Sequence, residues 1–303
     1  MIIKARQKSE EYVLLESLHA RNALAEKDKQ YFGGLQKGYE GEVLFDSWME
    51  EELTADCLII NDLLLKQRNN HFQMDTLMLL AGNIFLFEVK NFEGDHYYDS
   101  GHLYLMKSKE ERNNPLLQIE RNVSLLRQLL HSQNYKANIY AYVVFVNPEF
   151  TLYQAPLDKP IIYPSQIRRY LQQFNQQTAS ITARERQLAQ NLTSQHIEKS
   201  PYSQLPDYNF NQLKKGIFCP NCGSFALDVR RYKYTCEKCG KSESIQNSLL
   251  RSIREFQLLF SQEKITTNKM YEWLGASFEK SRIQRLLNEN LKKKYHGNMT
   301  YYE

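Results

Sequence analysis

The sequence predicts an α/β fold followed by a smaller module held by a metal, and three patterns carry that expectation. Strand-like runs at 57–65, 72–80, 84–90 and 139–146 are interleaved with segments of helical periodicity. Two Cys-x2-Cys pairs lie at 219–222 and 236–239, and basic charge gathers beyond residue 210. With 303 residues, 42% hydrophobic and 24% charged, the chain is long enough for two cores and too apolar for a disordered polymer.

Residues 7–29 are charged, lack Gly and Pro, and set Tyr12, Leu15, Leu18 and His19 at helical spacing, so a helix is expected there. Gly33 and Gly34 are expected to break it before a second helix striped by Val43, Leu44, Trp48 and Leu53. The runs 57–65, 72–80 and 84–90 then begin a sheet, with 97–106 as a weaker strand. Asn114-Pro115 marks a helix start, because Asn caps well and Pro at the first helical position gives up no hydrogen bond; 116–131 continues it. A buried strand at 139–146, a short strand at 161–163 and a helix over 165–174 complete a mixed sheet flanked by helices. The Gln- and Asn-rich stretch 172–195 also holds Ala, Leu, Arg and Glu and reads as a polar helix. Residues 200–216, with two prolines, read as a linker. The domain expectation is therefore 1–199, a linker 200–216, a module 217–245 and a helical end 246–303.

The net charge of +4 conceals an asymmetry, −4 over residues 1–209 against +8 over 210–303. Such a gathering suits a polyanion, with nucleic acid first, because Lys and Arg release counterions from phosphates; a solvated surface without a ligand is the alternative. No apolar run approaches the roughly 20 residues of a spanning helix. The start, MIIKARQKSEE, lacks the apolar stretch of a signal peptide, so a cytoplasmic location without membrane contact is expected.

Between the second and third strands, Gly82-Asn83 suits a tight turn. Pairing Ala81 with Ile84 would set Asp75 opposite Lys90 and Leu77 opposite Glu88, with Asp75, Glu88 and Lys90 on one face. Met74, Thr76, Met78, Phe85, Phe87 and Val89 would form the other face. A structural Asp75–Lys90 pair across the strands would leave Glu88 unexplained. The functional reading sets Mg²⁺ or Mn²⁺ between Asp75 and Glu88, with Lys90 orienting water and stabilising charge that develops on phosphorus.

These residues stand within a longer series: Gly38-Tyr39-Glu40-Gly41-Glu42, Gln73-Met74-Asp75, Glu88-Val89-Lys90-Asn91-Phe92 with Gly94, and Asn114-Pro115-Leu116-Leu117-Gln118. The series, over about residues 35–150, resembles the NERD or nuclease-related domain, which is similar to restriction-endonuclease-like nucleases of Asp…Glu-x-Lys type. Met74 stands where the more familiar signature has Pro. The resemblance implies a restriction-like mixed sheet, Asp75 and Glu88 as metal ligands, and Glu42 as a further acid near the metal. It also implies Lys90 as the water-orienting or phosphate-stabilising cation, Gln118 as a polar residue reaching the site, and Gln73 on the same side as Asp75. By residue type alone Glu42 would be a solvated acid on a helix surface.

Cys219-Pro-Asn-Cys222-Gly and Cys236-Glu-Lys-Cys239-Gly have the spacing of a zinc ribbon, with four thiolates closing a structural Zn²⁺ site. Disulfides are the alternative. Between the knuckles, Arg230, Arg231, Tyr232, Lys233 and Tyr234 interleave cations with rings, a strip suited to nucleic acid. The ribbon resembles those attached to topoisomerases, while a protein-binding ribbon is the rival reading. Cys57 reads as a core residue. Beyond the ribbon, Leu249, Ile253, Phe256 and Phe260 stripe a helix, Thr266 or Thr267 caps another, and Ser277 begins a third carrying Lys280, Arg282 and Arg285. That spacing fits a helix-turn-helix on DNA, or a packing unit. The chain therefore reads as a metal-dependent nuclease acting on single-stranded, branched or duplex DNA, or as a recruitment protein on an inactive nuclease fold.

Overall fold

The computed structural model describes all residues except Arg231 and Asn298 and divides into two units, Met1–Glu10 with Gly33–Ser203 and Glu11–Phe32 with Gln204–Glu303. The chain opens with β1 (Ile2–Lys4), α1 (Glu10–Ala20) and α2 (Glu26–Glu52). Strands β2 (Leu58–Gln67), β3 (Asn70–Leu80), β4 (Asn83–Lys90), β5 (Gly94–Asp99), β6 (His102–Leu105) and β7 (Glu111–Arg112) follow. Next come α3 (Pro115–Ser132), β8 (Ile139–Phe145), β9 (Phe150–Tyr153), β10 (Ile161–Ile162), α4 (Ile167–Gln173) and α5 (Ala183–Ser194).

In the first unit a six-stranded sheet runs β1-β2-β3-β4-β8-β10, antiparallel from β2 to β4 and parallel elsewhere, so the fold is mixed α/β. Leu126 and Leu129 of α3 and Leu188 and Leu192 of α5 share a core with Leu58 and Leu77 at one face, and Phe45 and Met49 of α2 with Ile167 and Leu171 of α4 cover the other. A smaller sheet runs β7-β6-β5-β9; the single strand expected at 97–106 is two strands, because Ser100 and Gly101 take φ of 49° and 90° and turn the chain. The start of α3 is as expected, with the Asn114 side chain accepting from the Leu116 N–H at 3.0 Å and Pro115 in the first turn.

Two helix expectations fail. The 7–29 segment is not one helix: Asn22 at φ 57° closes α1, and the Ala23 N–H returns to the Leu18 carbonyl at 2.9 Å. Gly33 and Gly34 lie inside α2, where each costs about 1 kcal/mol relative to Ala. Burial of Phe32, Phe45 and Met49 along the same helix outweighs that cost.

The second unit contains β11 (Leu227–Arg230), β12 (Lys233–Cys236) and β13 (Ser242–Ser244) in one antiparallel sheet. Helices α6 (Ile245–Leu259), α7 (Thr267–Trp273) and α8 (Lys280–Asn290) precede the hairpin β14 (Lys293–His296) and β15 (Met299–Tyr302). The 7–29 segment, read as part of the first domain, contributes most of its length here. Arg21 is buried, bonds Glu255 at 2.8 and 2.7 Å, and lies 3.6 Å from the centre of the Trp273 ring. The 200–216 segment is also more than a tether, since Phe210 stacks on Trp273 and Leu213 is buried. Among the described residues, no helix is long and apolar enough to cross a membrane.

Candidate active site

The hairpin that carries the acidic residues turns one position earlier than expected. Ala81 and Gly82 both have positive φ, 50° and 77°, as a two-residue primed turn requires, and Leu80 pairs with Asn83. The true register sets Thr76 opposite Phe87 and Leu77 opposite Leu86, which brings Asp75 level with Glu88 rather than Lys90. Because the correction is a shift of two in the paired sum, side-chain parity is unchanged from Thr76 to the turn.

The expected opposite face is also revised. Phe72 and Met74 share a core with Leu77 and Leu79, not with Met78, so strand alternation reverses near Asp75. In β2 it reverses at Asp62, whose φ is 51°, and the ladder pairs Asn61 with Thr76 and Leu63 with Met74 around it. Asp75 thus sits at an irregularity, where backbone groups leave the ladder and need other partners. Lys4 Nζ donates to the Asn61 and Asp62 carbonyls at 3.0 and 2.7 Å, and Arg6 donates to the Asp75 carbonyl at 2.8 Å.

The six residues Glu42, Gln73, Asp75, Glu88, Lys90 and Gln118 all line one cavity of about 620 Å³. Glu42 reaches it because α2 crosses close to the sheet at Gly41, where a Cβ would come within 2.6 Å of Asn91 Cβ and 3.1 Å of Val146 Cγ2. Gln118 comes from the first turn of α3. Gln73 donates to Asp62 Oδ1 at 2.7 Å, the Val89 N–H donates to Asp75 Oδ2 at 2.8 Å, and Lys90 Nζ donates to Glu88 Oε1 at 2.6 Å.

Sequence reasoning missed Arg6. Its guanidinium donates to Glu42 Oε2 at 2.6 Å, to both Asp46 carboxylate oxygens at 2.8 and 3.0 Å, and to Thr76 Oγ1 at 3.1 Å. No periodicity marks it, since it lies between β1 and α1, outside any regular element. Its detectable signal was a cation beside a short apolar strand, Ile2-Ile3, that could join the sheet.

Acid exceeds base in this site. Burial, and then the charge of Asp75, push the Glu42 carboxyl up to about 8, and the same two causes push Glu88 up to about 8. Burial raises Asp75 as well, against the pull of Lys90, the Val89 N–H and Arg6. Burial alone would lower Lys90, yet Glu88, Asp75 and Glu42 outweigh it and hold the ammonium above its ordinary value. An added cation would relieve the repulsion between these carboxyls, so the donor set fits a hard divalent ion that keeps several waters. Asp75 and Glu88 offer two carboxylates, the number Mg²⁺ commonly takes from protein.

Cys219, Cys222, Cys236 and Cys239 form the one group of three or more metal-ligand side chains, among the described residues, whose ligand atoms all lie within 4.8 Å. Sγ atoms of Cys219 and Cys239 are 3.6 Å apart, and those of Cys222 and Cys236 are 3.5 Å apart. A tetrahedral zinc at about 2.3 Å from each sulfur would set them roughly 3.8 Å apart, so the cluster fits that ion. Gly223 and Gly240, at φ 68° and 71°, let the chain turn after each pair. Of the expected nucleic-acid strip, Arg230, Tyr232 and Lys233 are exposed, and Arg230 pairs with Asp228 at 2.7 Å. Arg231 lies outside the described residues. Tyr234 is buried edge-on against Phe278 and serves the core, not a stacking surface. Lys280 and Arg285 are exposed on α8, whereas Arg282 is half-buried over the Phe278 ring at 5.5 Å.

Residues 37–146 match the family model of the nuclease-related domain, NERD. That stretch holds Glu42, Gln73, Asp75, Glu88, Lys90 and Gln118, and this part of the chain is a nuclease-related domain. The four-cysteine cluster lies beyond that domain and is consistent with a zinc ribbon. No curated protein and no solved structure matches the chain.

Proposed function

We propose that the chain is a metal-dependent nuclease that hydrolyses phosphodiester bonds of DNA, with a structural zinc ribbon and basic C-terminal helices holding the nucleic acid. The observation that carries this reading is the convergence of Glu42, Gln73, Asp75, Glu88, Lys90 and Gln118 on one cavity. Asp75 and Glu88 would hold Mg²⁺ or Mn²⁺, which when bound supplies Lewis acidity to a phosphate oxygen and to water. Lys90, kept cationic by three carboxyls, orients the attacking water or stabilises charge developing on phosphorus. Glu42 lines the same cavity and would serve as a further acidic group near the metal. Gln73 and Gln118 carry amide groups suited to phosphate oxygens and ordered water. Arg230, Arg231, Tyr232, Lys233, Lys280, Arg282 and Arg285 are assigned to nucleic acid, and Arg282 also packs over the Phe278 ring.

A non-catalytic, DNA-recruiting reading is favoured by one contact, the Lys90 ammonium on the Glu88 oxygen that a cation would need. Incubating the zinc-loaded full chain with labelled single-stranded, duplex and forked DNA, with Mg²⁺, Mn²⁺ or neither, separates the two. Cleavage that requires the divalent ion and drops about a hundredfold or more in Asp75→Asn and Lys90→Ala is expected. Folded protein that binds DNA and cuts nothing with either ion would establish the recruitment reading, and cutting that survives in both variants would mark a contaminant.

A further inference from the structure

The C-terminal helices read from sequence as a helix-turn-helix or a packing unit, and the chain adds a two-stranded sheet to them. Ile265, between α6 and α7, bridges to Tyr302 of β15, whose N–H donates to the Ile265 carbonyl at 2.9 Å, and β15 pairs with β14. The order is helix, single bridging residue, helix, helix, hairpin. Ile253 and Phe256 of α6, Met270 and Trp273 of α7, and Ile283 and Leu287 of α8 are all buried, and the Trp273 indole donates to the Ser252 carbonyl at 3.0 Å. Gly275 and Ala276, both at positive φ, turn the chain between α7 and α8. This is the order of elements in a winged helix.

The composition of the exposed surface follows the same plan. With Ile283, Leu286 and Leu287 turned inward, the outward stripe of α8 is Ser281, Gln284, Arg285 and Asn288, all exposed and spaced as one helix face. Each carries a hydrogen-bonding group, and Arg, Gln and Asn are the side chains that pair in two-point fashion with guanine and adenine edges. Every residue of β14 is exposed, namely Lys293, Lys294, Tyr295 and His296, and Lys294 pairs with Glu303 at 3.4 Å, a partner that phosphate would have to replace. The α8 stripe has no aromatic ring of the kind on which single-stranded bases stack, and the exposed ring of the surface is Tyr295 on β14. A helix fits the roughly 12 Å major groove of B-form DNA but not the deep, narrow groove of an RNA duplex.

We propose that residues 245–303 form a winged helix that reads duplex DNA, with Ser281, Gln284, Arg285 and Asn288 at base edges and Lys293 and Lys294 on flanking phosphates. This inference rests on the reading of the chain as a DNA-acting protein and narrows its substrate to duplex or duplex-containing DNA.

The test uses the full zinc-loaded chain carrying Asp75→Asn, so that binding is followed without cutting. Fluorescence anisotropy is measured on a mixed-sequence DNA duplex, one of its strands and the equivalent RNA duplex, across a salt series. The DNA duplex is expected to bind most tightly. Lys293→Ala with Lys294→Ala should lower the slope of log affinity against log salt by about 2, close to one per phosphate contact. Gln284→Ala, Arg285→Ala and Asn288→Ala together should cost about tenfold or more on sequences selected from randomised duplexes, and flatten the selection. Arg254→Ala, on the exposed side of α6, is the control and should change neither. Equal binding of single strand, RNA and duplex, or parental duplex affinity in both variant sets with unchanged melting, overturns the winged-helix assignment even if the wild type cuts DNA. Duplex binding by a wild type that never cuts would sustain it while sinking the nuclease reading.

Discussion

Arg6 shows how much of a site can rest on a residue that no motif contains. Its side chain is 3% exposed and satisfies two acids of α2, Glu42 and Asp46, together with the carbonyl that Asp75 turns out of the ladder. Removing one partner from such a buried cluster leaves uncompensated charge. Arg6→Met is expected to lower stability on the order of 3 kcal/mol in urea denaturation and to reduce cleavage more than Arg6→Lys does, because an ammonium keeps the charge but not the fork. If the proposed cleavage is unchanged in Arg6→Met, Arg6 has no positioning role. The irregularity at Asp62 and Asp75 was illegible for a related reason: alternation rules assume a regular ladder, and the positive φ of Asp62 leaves no mark in a list of apolar positions.

At the scale of elements, two contacts fix how helices meet the sheet and each has a measurable consequence. Gly41 lets α2 approach Asn91 and Val146 closely enough to deliver Glu42. Gly41→Ala, which in an ordinary helix would stabilise, is expected instead to cost about 1–3 kcal/mol and to impair cleavage, as read from thermal melts and turnover. Glu185, buried at the start of α5, accepts from the Gly82 N–H of the hairpin turn at 2.9 Å and from the Thr182 N–H and hydroxyl at 2.8 and 2.7 Å. Burial would raise its carboxyl, but the hydrogen bonds from Thr182 and Gly82 outweigh burial and hold it below the usual glutamate range. A carboxyl lowered in the folded state adds stability above its unfolded pKa of about 4.3 and loses it as pH falls through the folded value. Glu185→Gln should therefore cost about 1–2 kcal/mol at neutral pH, with the gap to the parent closing as the pH of a denaturation series drops below about 4. The turn falls one residue from its expected place because Gly82-Asn83 and Ala81-Gly82 are both plausible turn pairs, and the strands on either side decide between them.

At the scale of the whole molecule, the nuclease-related segment 37–146 is not a complete layer structure. Ile167 and Leu171 of α4 and Leu188 and Leu192 of α5 cover the two faces of its sheet, and β1 extends the edge. A fragment of residues 37–146 should lack a cooperative thermal transition, whereas the full chain should show one; a sharp melt of the fragment would mean that the flanking elements only decorate the fold. The cysteine cluster makes a separate prediction. The purified chain should carry one zinc per chain by elemental analysis, Cys236→Ser should carry none, and chelation should unfold the knuckles, as seen by increased proteolysis within 217–245.

The fold class, the main strands, the start of α3, the four thiolates and the acidic hairpin were all readable from residue order. Each depends on local chemistry, such as a cap at Asn114, a paired spacing of cysteines, or charges set at the end of apolar runs. From Thr76 to the turn, side-chain parity survived the register error because a shift of two keeps parity. Arg6, the break in alternation at Asp75, the close crossing at Gly41, the grouping of Glu11–Phe32 with the C-terminal residues and the bridge from Ile265 to Tyr302 came from the folded chain. All of these join residues distant in sequence. Their free energy exists only when both partners are in place, so neither partner announces the other along the chain.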